Sequence, residues 1–452
     1  MENTRASAER EPSGESAPPL VHLPTNRPFE GAFRSVAAEI SALPDGVRDQ
    51  LTLLVVDDCP PSVSRDNRRV IDEVGRTTGI PTHVLDAVGW RRLADDIVTA
   101  ADLSAEDGAA ARGALIKPTG SYGAGPNKAA LVAALVGAGS LHRRDSDQIT
   151  RTDPATGLSP LKTEIELLNR ARDRGGAEVY CVGSSLTGRP TRDRRDLAEC
   201  SPEFIHRIDA LSRPPSGEER ALRPARRRTV PPPGRIALPG AATVERDLTG
   251  TVEMGVAALR TVHEWIPEMP AVGILGSDYF QKGLLYQLDL PVYHHRLRAH
   301  HVYEPWRVAQ SSTDHLGWYS VAEMRYAVLR RHWNTFNEFL VAHRDRLLSP
   351  EGEFDSAAYG HLFLEALERS AEHAAGIPPA FVSVYREAMT GASGDTARRL
   401  SVRVSALEAE VDSTAEYVAD AIREFTILAR VWPALIAAAR RLGPGAVPGS
   451  RT

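Results

Sequence analysis

A nearly continuous apolar run at residues 51–56 is the feature that most limits how this chain can fold. It reads Leu-Thr-Leu-Leu-Val-Val and is followed at once by Asp57 and Asp58. Strands of a parallel sheet are covered on both faces and show such runs. Shorter strands are predicted at residues 20–24 and 82–85, each followed by residues with helical spacing. Further along, a helix is predicted over residues 248–266 and a strand over residues 270–276. Strands that alternate with helices predict a mostly parallel, three-layer α/β sheet.

Polar and glycine-rich residues follow these predicted strands. Ligands of open α/β sheets collect at the carboxyl ends of the strands, where Asp57 and Asp58 would accept hydrogen bonds from a base or ribose. The segment 117–128 is rich in glycine and precedes an apolar helix, whose N-terminus favours anions. Gly125 lets the backbone approach a ligand, and Lys128 adds a positive charge. The spacing fits neither a P-loop nor a dinucleotide fingerprint, and a flexible loop before a core helix is the alternative.

The segment 141–147 carries two carboxylates, Asp145 and Asp147, separated by one residue at the exit of an apolar run. Two such groups at a turn can hold one hard divalent cation, and that cation would bind a diphosphate. Arg143 and Arg144 could neutralise phosphate. Neighbours on a strand point to opposite faces, so we expect at most one of the two arginines to do so. An isolated Asp-x-Asp is also common on solvated turns.

Length and charge exclude several classes of protein. A chain of 452 residues exceeds what one core usually supports, so two domains, or one domain with a large appendage, are expected. The formal net charge is −5, which argues against an electrostatic nucleic-acid binder. Three widely spaced cysteines fit neither a disulfide framework nor a cysteine-rich metal site, which indicates the cytoplasm. We expect no secretory signal and no membrane partner.

Changes in composition divide the chain into predicted regions. These are a disordered tail (1–19), the α/β domain (20–318), a helical C-terminal domain (319–443) and a short tail (444–452). Within the α/β domain, residues 212–240 turn to proline, glycine and arginine and form either a solvated linker or a mobile basic lid. Residues 400–411 have heptad-like spacing over about two heptads, which predicts core packing or, alternatively, a helix that forms a homodimer.

Taken in their order along residues 18–307, the motifs resemble the GT-A nucleotide-sugar glycosyltransferases. Besides the acids, the resemblance rests on Pro24-Thr-Asn-Arg27 after the first strand, on Gly276-Ser-Asp278, and on Arg298-Ala-His300. The last segment is similar to that of glucosyl-3-phosphoglycerate synthases. The resemblance implies a Rossmann-like GT-A fold and metal-dependent transfer of a sugar from a UDP or GDP sugar to a small soluble acceptor.

The resemblance also implies a role for each motif residue. Asp278 would be the general base of an inverting enzyme or would contact the acceptor in a retaining one, with a helix N-cap as its alternative. A divalent cation, Mn²⁺ or Mg²⁺, would be held by Asp145, Asp147 and His300, with His294 and His301 as competing ligands. The nucleotide sugar would contact Pro24, Thr25, Asn26, Arg27, Asp57, Gly125, Asn127, Lys128, Arg144, Asp145 and Ser146.

Three further interpretations are open. The sequence is similar to the thio-sugar-forming glycosyltransferases of lincosamide antibiotic pathways, which implies a GDP-octose donor and the thiol of ergothioneine as acceptor. A nucleotidyltransferase is an alternative, although the expected glycine-rich signature with arginine and lysine is absent after the first strand. A third is a GT-A-like oligomeric scaffold that has lost catalysis, and the presence of both Asp145 and Asp147 argues against it.

Overall fold

The computed structural model describes residues 17–117, 120–169, 178–188, 194–212, 235–237, 243–302, 313–349 and 352–448. The strands in these stretches are β1 (Pro19–Thr25), β2 (Thr52–Asp57), β3 (Thr82–Asp86), β4 (Ser140–Arg143), β5 (Gln148–Ile149), β6 (Cys181–Gly183), β7 (Leu186–Gly188), β8 (Arg235–Ala237), β9 (Thr243–Arg246), β10 (Ala257–Leu259), β11 (Val292–His295) and β12 (Ala299–His301).

The helices fall into two groups along the chain. The first group, interleaved with the strands, consists of α1 (Glu30–Ser41), α2 (Asp45–Arg48), α3 (Pro61–Thr78), α4 (Ala87–Ala100), α5 (Ala105–Leu115), α6 (Ala124–Val136), α7 (Pro160–Asn169), α8 (Arg195–Cys200), α9 (Pro202–Leu211), α10 (Val262–Trp265) and α11 (Phe280–Gln287). The second group consists of α12 (Thr313–Ala342), α13 (Arg344–Leu347), α14 (Ser356–Ala375), α15 (Ile377–Gly391), α16 (Gly394–Glu410) and α17 (Thr414–Leu442).

The central sheet has the strand order β3-β2-β1-β4-β10-β6-β11-β9-β8. β1 lies parallel between β2 and β4, with Thr25 beside Asp57 and His22 beside Arg143. The carboxyl ends of these three strands therefore meet at one edge. The α/β class with a C-terminal helical region is confirmed. The sheet is mixed rather than mostly parallel, because β10 runs antiparallel to both β4 and β6.

A small second sheet, in the order β5-β12-β7, lies next to the Asp-x-Asp segment. β5 follows Asp147 directly, and β12 pairs with it so that His301 is opposite Gln148. The backbone N–H of Val302 donates to the Asp147 carbonyl oxygen at 2.8 Å. This pairing brings a late histidine next to the Asp-x-Asp turn, although more than 150 residues separate them in sequence.

The apolar segments of the sequence form elements that are buried on both sides, as β2 and α6 show. Residues Leu53 to Val56 of β2 are completely buried, as expected for a strand with helices on both faces. In α6 every residue from Ala124 to Leu135 is buried, because the helix is covered both by the sheet and by α17. Helices that are apolar around their whole circumference belong inside a protein. The glycine-rich segment before α6 is thus fixed at its C-terminal end.

The last helix, α17, packs into two apolar cores. Near its start, Phe425 contacts the ring of Phe280 from α11. Further along, Leu435 lies in the cluster that contains Leu20 of the central sheet. Trp432, between them, donates from Nε1 to the carbonyl oxygen of His263 at 3.0 Å. The predicted domain boundary at residue 318 falls inside α12, and the division into domains stays a prediction.

Two predicted elements are wrong. The helix expected over residues 248–266 is replaced by a short 3₁₀ turn, the strand β10 and α10. The apolar residues of β10 fill the gap between β4 and β6, so pairing with both neighbours overrides their helical spacing. The strand expected over 270–276 is a loop in which Gly273 and Gly276 have φ values of +62° and +70°, which turn the chain.

Two other predicted regions fall largely outside the described residues. The predicted tail lies there up to residue 16, and β1 begins at Pro19. Of the predicted linker or lid, Arg235–Ala237 is a strand, so the prediction of irregular structure is wrong for those residues. Among the described helices, none combines the length and apolar character needed to cross a membrane.

Candidate active site

One large cavity of about 1420 Å³ opens at the carboxyl ends of β1, β2 and β4. Two sets of residues line it. The strand-end wall, supplied by the segments that follow these strands, includes Thr25, Asn26, Arg27, Asp58, Asp145, Ser146 and Asp147. The helical wall, supplied by α11 and α12, includes Lys282, Tyr286, Tyr326, Arg330, Trp333 and Asn337. Pro24, Gly125 and Asp278 also line the cavity, so it contains most of the candidate residues identified from the sequence.

Arg27 connects the end of β1 to the Asp-x-Asp segment. Its Nη1 donates to Asp147 Oδ2 at 3.0 Å. The carbonyl oxygen of Arg27 accepts hydrogen bonds from Thr25 Oγ1 at 2.8 Å and from Asn67 Nδ2 at 3.0 Å. These bonds fix the backbone of the turn, so the guanidinium is held at the cavity edge.

Of the two acids that end β2, Asp58 lines the cavity and Asp57 lies beneath it. Asp57 accepts from the Ser64 hydroxyl at 2.5 Å and from the Cys59 N–H at 3.0 Å. Its carboxylate therefore fixes the turn between β2 and α3. The direct nucleotide contact predicted for Asp57 is therefore corrected, and Asp58 is the acid of the two that lines the cavity.

Asn127 and Lys128, at the start of α6, form hydrogen bonds with neighbouring residues. Lys128 is buried, and its Nζ donates to both carboxylate oxygens of Asp58 at 2.6 and 2.8 Å. Asn127 exchanges two hydrogen bonds with the backbone of Glu268, at 2.7 and 2.8 Å. Neither side chain lines the cavity, so the direct contacts predicted for them are corrected. Gly125 does line it, and a Cβ there would come within 2.9 Å of Pro24 Cβ.

Arg143 joins the Asp-x-Asp segment to Asp278. Its Nε donates to Asp145 Oδ1 and its Nη2 donates to Asp278 Oδ2, both at 2.7 Å. Asp278 follows the turn at Gly276, and its side chain is only 8% exposed. One guanidinium thus fixes the relative position of two carboxylates that are 133 residues apart in the sequence.

The two acids of the Asp-x-Asp segment have pKa values shifted in opposite directions. Burial raises the pKa of Asp145, Arg143 opposes the rise, and the charge of Asp147 adds to it. Burial would also raise the pKa of Asp147, but the hydrogen bond from His301 and the charge of Arg27 outweigh it, and the pKa is lowered. Asp147 is therefore the acid of the pair that holds its negative charge more firmly.

Arg144 points away from the cavity, into a buried ionic cluster on the other side of β4. Its Nε donates to Glu39 Oε1 at 3.2 Å and its Nη2 donates to Glu164 Oε2 at 3.0 Å. All three side chains are at most 1% exposed. The predicted contact between Arg144 and the nucleotide is therefore corrected. Of the two adjacent arginines only Arg143 lines the cavity, and a contact between Arg143 and phosphate stays a prediction.

His301, and not His300, is next to the Asp-x-Asp segment. His301 Nε2 is 3.5 Å from Asp147 Oδ2, and the residue lines the cavity. His300 is exposed, and its Nδ1 is 3.3 Å from Thr187 Oγ1, because consecutive residues of β12 point to opposite faces. His294 lies on β11 and does not line the cavity. The predicted position of His300 beside the two acids is thus corrected, and His301 is the histidine that lies there.

A family model matches residues 20–447. The chain belongs to DUF6271, a family of unknown function. A search of curated proteins gave no match.

Solved structures with a related arrangement include a mannosyltransferase and S. aureus TarS. "Mannosyltransferase PcManGT from Pyrobaculum calidifontis in complex with GDP-Man and Mn2+" is 12% identical, with a TM-score of 0.35 over 92% of this chain and 86% of that one. S. aureus TarS 1–349 in complex with UDP is 12% identical, with a TM-score of 0.36 over 87% of this chain and 92% of that one. At these values the likeness by itself assigns no activity to this DUF6271 member.

The contribution of α12 to the cavity lining was not predicted from the sequence. Tyr326, Arg330, Trp333 and Asn337 recur at intervals of three and four residues, which places them on one face of α12. The sequence did contain a signal for this wall. A helix face that packs only against a core is apolar, whereas this face carries a cation and an amide between aromatic residues, which indicates a ligand-facing surface.

The donor atoms at the Asp-x-Asp segment fit a hard divalent cation that a ligand helps to hold. Within the described residues, no group of three His, Cys, Asp or Glu side chains is arranged as a metal site. Mg²⁺ is commonly held by one or two carboxylates together with substrate phosphates, so a complete protein cage is not required. Asp145, Asp147 and His301 line the same cavity and supply two carboxylates and an imidazole. An imidazole ligand favours Mn²⁺ over Mg²⁺.

Proposed function

We propose that the protein transfers a sugar from a nucleotide diphosphate sugar to a small acceptor. The observation that carries the proposal is a pair of ionic contacts in one cavity. Arg27 from the end of β1 pairs with Asp147 in the turn after β4, and Arg143 joins Asp145 of that turn to Asp278 in the loop before α11. Carboxylates that can hold a cation, arginines that can neutralise phosphate and a carboxylate for an acceptor proton are thus gathered at one sheet edge.

The nucleotide half of the donor would lie along the strand-end wall. Thr25, Asn26 and Asp58 offer hydrogen-bonding groups for a nucleoside at the ends of β1 and β2. Gly125 lets the ligand approach the backbone before α6, where a side chain would collide with Pro24. The diphosphate would then reach Arg27 and the Asp-x-Asp segment, and the sugar would extend towards Asp278.

Asp145, Asp147 and His301 would hold the divalent cation, which, when bound, stabilises the negative charge on the leaving diphosphate. Arg27 would contribute positive charge to the same group. Arg143 positions Asp145 and Asp278 relative to one another. Groups fixed before the reaction stabilise developing charge without the cost of reorganisation.

The reaction joins the acceptor to the anomeric carbon of the sugar. An oxygen, nitrogen or sulfur of the acceptor attacks that carbon, and the bond from the carbon to the diphosphate oxygen breaks, with its electron pair leaving on the phosphate. In a direct displacement Asp278 takes the acceptor proton as general base. In a transfer that retains configuration, Asp278 contacts the acceptor instead.

The lincosamide resemblance supplies one specific pair of substrates to test. These are a GDP-octose as donor and the thiol of ergothioneine as acceptor. Homodimerisation through the C-terminal helices also belongs to this proposal, and the oligomeric state measured by light scattering tests it.

Calorimetric binding of UDP and GDP, each with Mn²⁺ and with EDTA, tests the donor class. We expect one diphosphate to bind in the presence of Mn²⁺, and Asp147→Ala to weaken that binding by about 10- to 100-fold, the range for disturbed metal sites. Asp72→Ala is the matched control, because Asp72 is exposed on α3 and outside the cavity. A folded wild-type protein that binds neither diphosphate would contradict the proposal.

A further inference from the structure

The helical wall is held together where α11 crosses α12. Trp333 stacks on Phe280, with ring centroids 4.5 Å apart and planes 11° apart. A Cβ at Gly283 would come within 2.9 Å of the Trp333 ring, so the two helices are in direct contact there. Lys282 adjoins Gly283, and Arg330 lies one helical turn before Trp333. The crossing therefore fixes two cationic residues on the same part of the cavity wall.

Neither of these two cations is paired with a carboxylate of the described residues. Lys282 Nζ lies 5.1 Å from the Tyr279 ring centroid, and Arg330 Cζ lies 5.9 Å from the Tyr326 ring centroid. Both side chains are half-buried. A partly desolvated charge without a counter-ion is unfavourable, and an aromatic face compensates it only in part.

The strand-end wall shows the opposite arrangement. Its cations are already matched, since Arg27 pairs with Asp147, Arg143 pairs with both Asp145 and Asp278, and Lys128 pairs with Asp58. The uncompensated positive charge of the cavity is therefore concentrated on the helical wall. A ligand that enters there neutralises it best with a negative group.

An unsatisfied acceptor accompanies the two cations. Asn337 Oδ1 is buried and has no hydrogen-bond partner within the described part of the chain, and Asn337 lines the cavity two turns beyond Arg330. A buried polar atom without a partner costs about 1–3 kcal/mol. Lys282 on α11 and Arg330 on α12 thus give this wall two cations without a carboxylate partner among the described residues, which points to a ligand with an anionic group.

We propose that the helical wall binds the acceptor through a negatively charged group, a carboxylate or a phosphate, held between Lys282 and Arg330 with the body of the acceptor against Tyr326. The proposal rests on the proposed glycosyl transfer in naming the ligand an acceptor. The cavity volume of about 1420 Å³ supports two ligands, because sites for one small molecule usually occupy about 300–1,000 Å³.

Three aromatic probes that differ in charge test this site. 4-Hydroxybenzoate carries a carboxylate, phenyl phosphate carries a phosphate, and 4-hydroxybenzamide is neutral. Calorimetry should show that the wild-type protein binds at least one anion more tightly than the amide by about 10-fold, equivalent to about 1.4 kcal/mol. The anion that binds better distinguishes a carboxylate acceptor from a phosphorylated one.

Substitutions of Lys282 and Arg330 test whether the anionic probes bind at the helical wall. Lys282→Gln and Arg330→Gln should each remove most of the preference for the anion, and Lys282→Arg should retain it. Arg69→Gln is the matched control, because Arg69 is exposed on α3 and outside the cavity. Equal binding of anion and amide, binding of none of the probes, or an equal loss in Arg69→Gln would overturn the proposal.

The same variants separate this proposal from the donor proposal. UDP and GDP are titrated into the wild-type protein, Lys282→Gln and Arg330→Gln in parallel, and their affinities should not change. If no diphosphate binds but the anion preference depends on Lys282 and Arg330, the donor proposal fails and the anion site stands. If a diphosphate binds and the anion preference is missing, the anion site fails alone.

Discussion

The two walls of the cavity differ in how their charges are compensated. On the strand-end wall each cation faces a carboxylate, as in the pair of Arg27 and Asp147. On the helical wall Lys282 and Arg330 are supported by tyrosine rings instead. Matched charges keep side chains in place before a ligand arrives, whereas unmatched charges select the charge of the ligand. The comparison teaches that one cavity can combine a wall whose side chains are fixed by ion pairs with a wall whose charges favour a ligand of opposite charge.

Substitution of Asp278, which lies between the two walls, should have the largest effect of the changes considered. Asp278→Asn should lower turnover by about 100- to 10,000-fold, the usual contribution of a general base. The affinity for the diphosphate should change little, since Arg143 keeps its hydrogen bonds to Asp145. Turnover is measured as transfer to an acceptor, and diphosphate affinity by calorimetry. A parallel loss of diphosphate affinity would place Asp278 on the strand-end wall.

Arg144 tests whether the strand-end wall is rigid because of the ionic cluster behind it. Arg144→Ala leaves Glu39 and Glu164 buried without their shared cation, and removal of one partner from a buried ion pair costs about 3–5 kcal/mol. Urea unfolding should show this loss. Arg69→Ala, at an exposed site, should change the free energy of unfolding by less than about 0.5 kcal/mol. A similarly small effect at Arg144 would mean that the cluster does not support the wall.

Two buried histidines test whether the regions unfold together. Burial lowers the pKa of His263, near the sheet, and of His332, on α12, to about 4 in each case. Below pH 6.5 the unfolded chain takes up protons that the folded protein does not, so stability falls as the pH drops towards 4. At pH 5 each histidine should account for about 2 kcal/mol of this loss.

His332→Gln and His263→Gln should each reduce the loss of stability between pH 7 and pH 5. If the regions unfold together, circular dichroism and tryptophan fluorescence should report the same single unfolding transition for each variant. Two separate transitions, each sensitive to one of the two substitutions, would show that the regions are independent and would weaken the link between the walls.

Local patterns in the sequence were sufficient for β1, β2 and β3 and for most of the strand-end wall. The apolar run before Asp57 predicted β2, and the position of acids at strand ends predicted the edge at which the cavity opens. Thr25, Arg27, Asp145 and Asp147 line that cavity, as the spacing of the motifs suggested, although their roles stay predictions. These features depend on periods of two residues and on the parallel direction of neighbouring strands.

Features that depend on contacts distant in sequence were not predictable. Whether Asp57 or Asp58 lines the cavity depends on Ser64, which donates to Asp57, and on Lys128, which donates to Asp58. The choice between His300 and His301 depends on which face of β12 is turned towards the Asp-x-Asp segment. The direction of Arg144 is set by two glutamates from separate helices. A single sequence contains none of these pairings.

The position of α17 in two cores has a consequence for redesign. A loop or domain that recognises a substrate can often be exchanged between relatives as a unit, but here the final helix ties the sheet to the helices that carry the second wall. A graft of residues 313–410 from a relative would have to fit around Phe425 of the recipient, whose ring contacts Tyr359 and Phe363 in that segment. Altering the substrate range of this scaffold therefore calls for replacement of single side chains along α12 rather than for transplantation of modules.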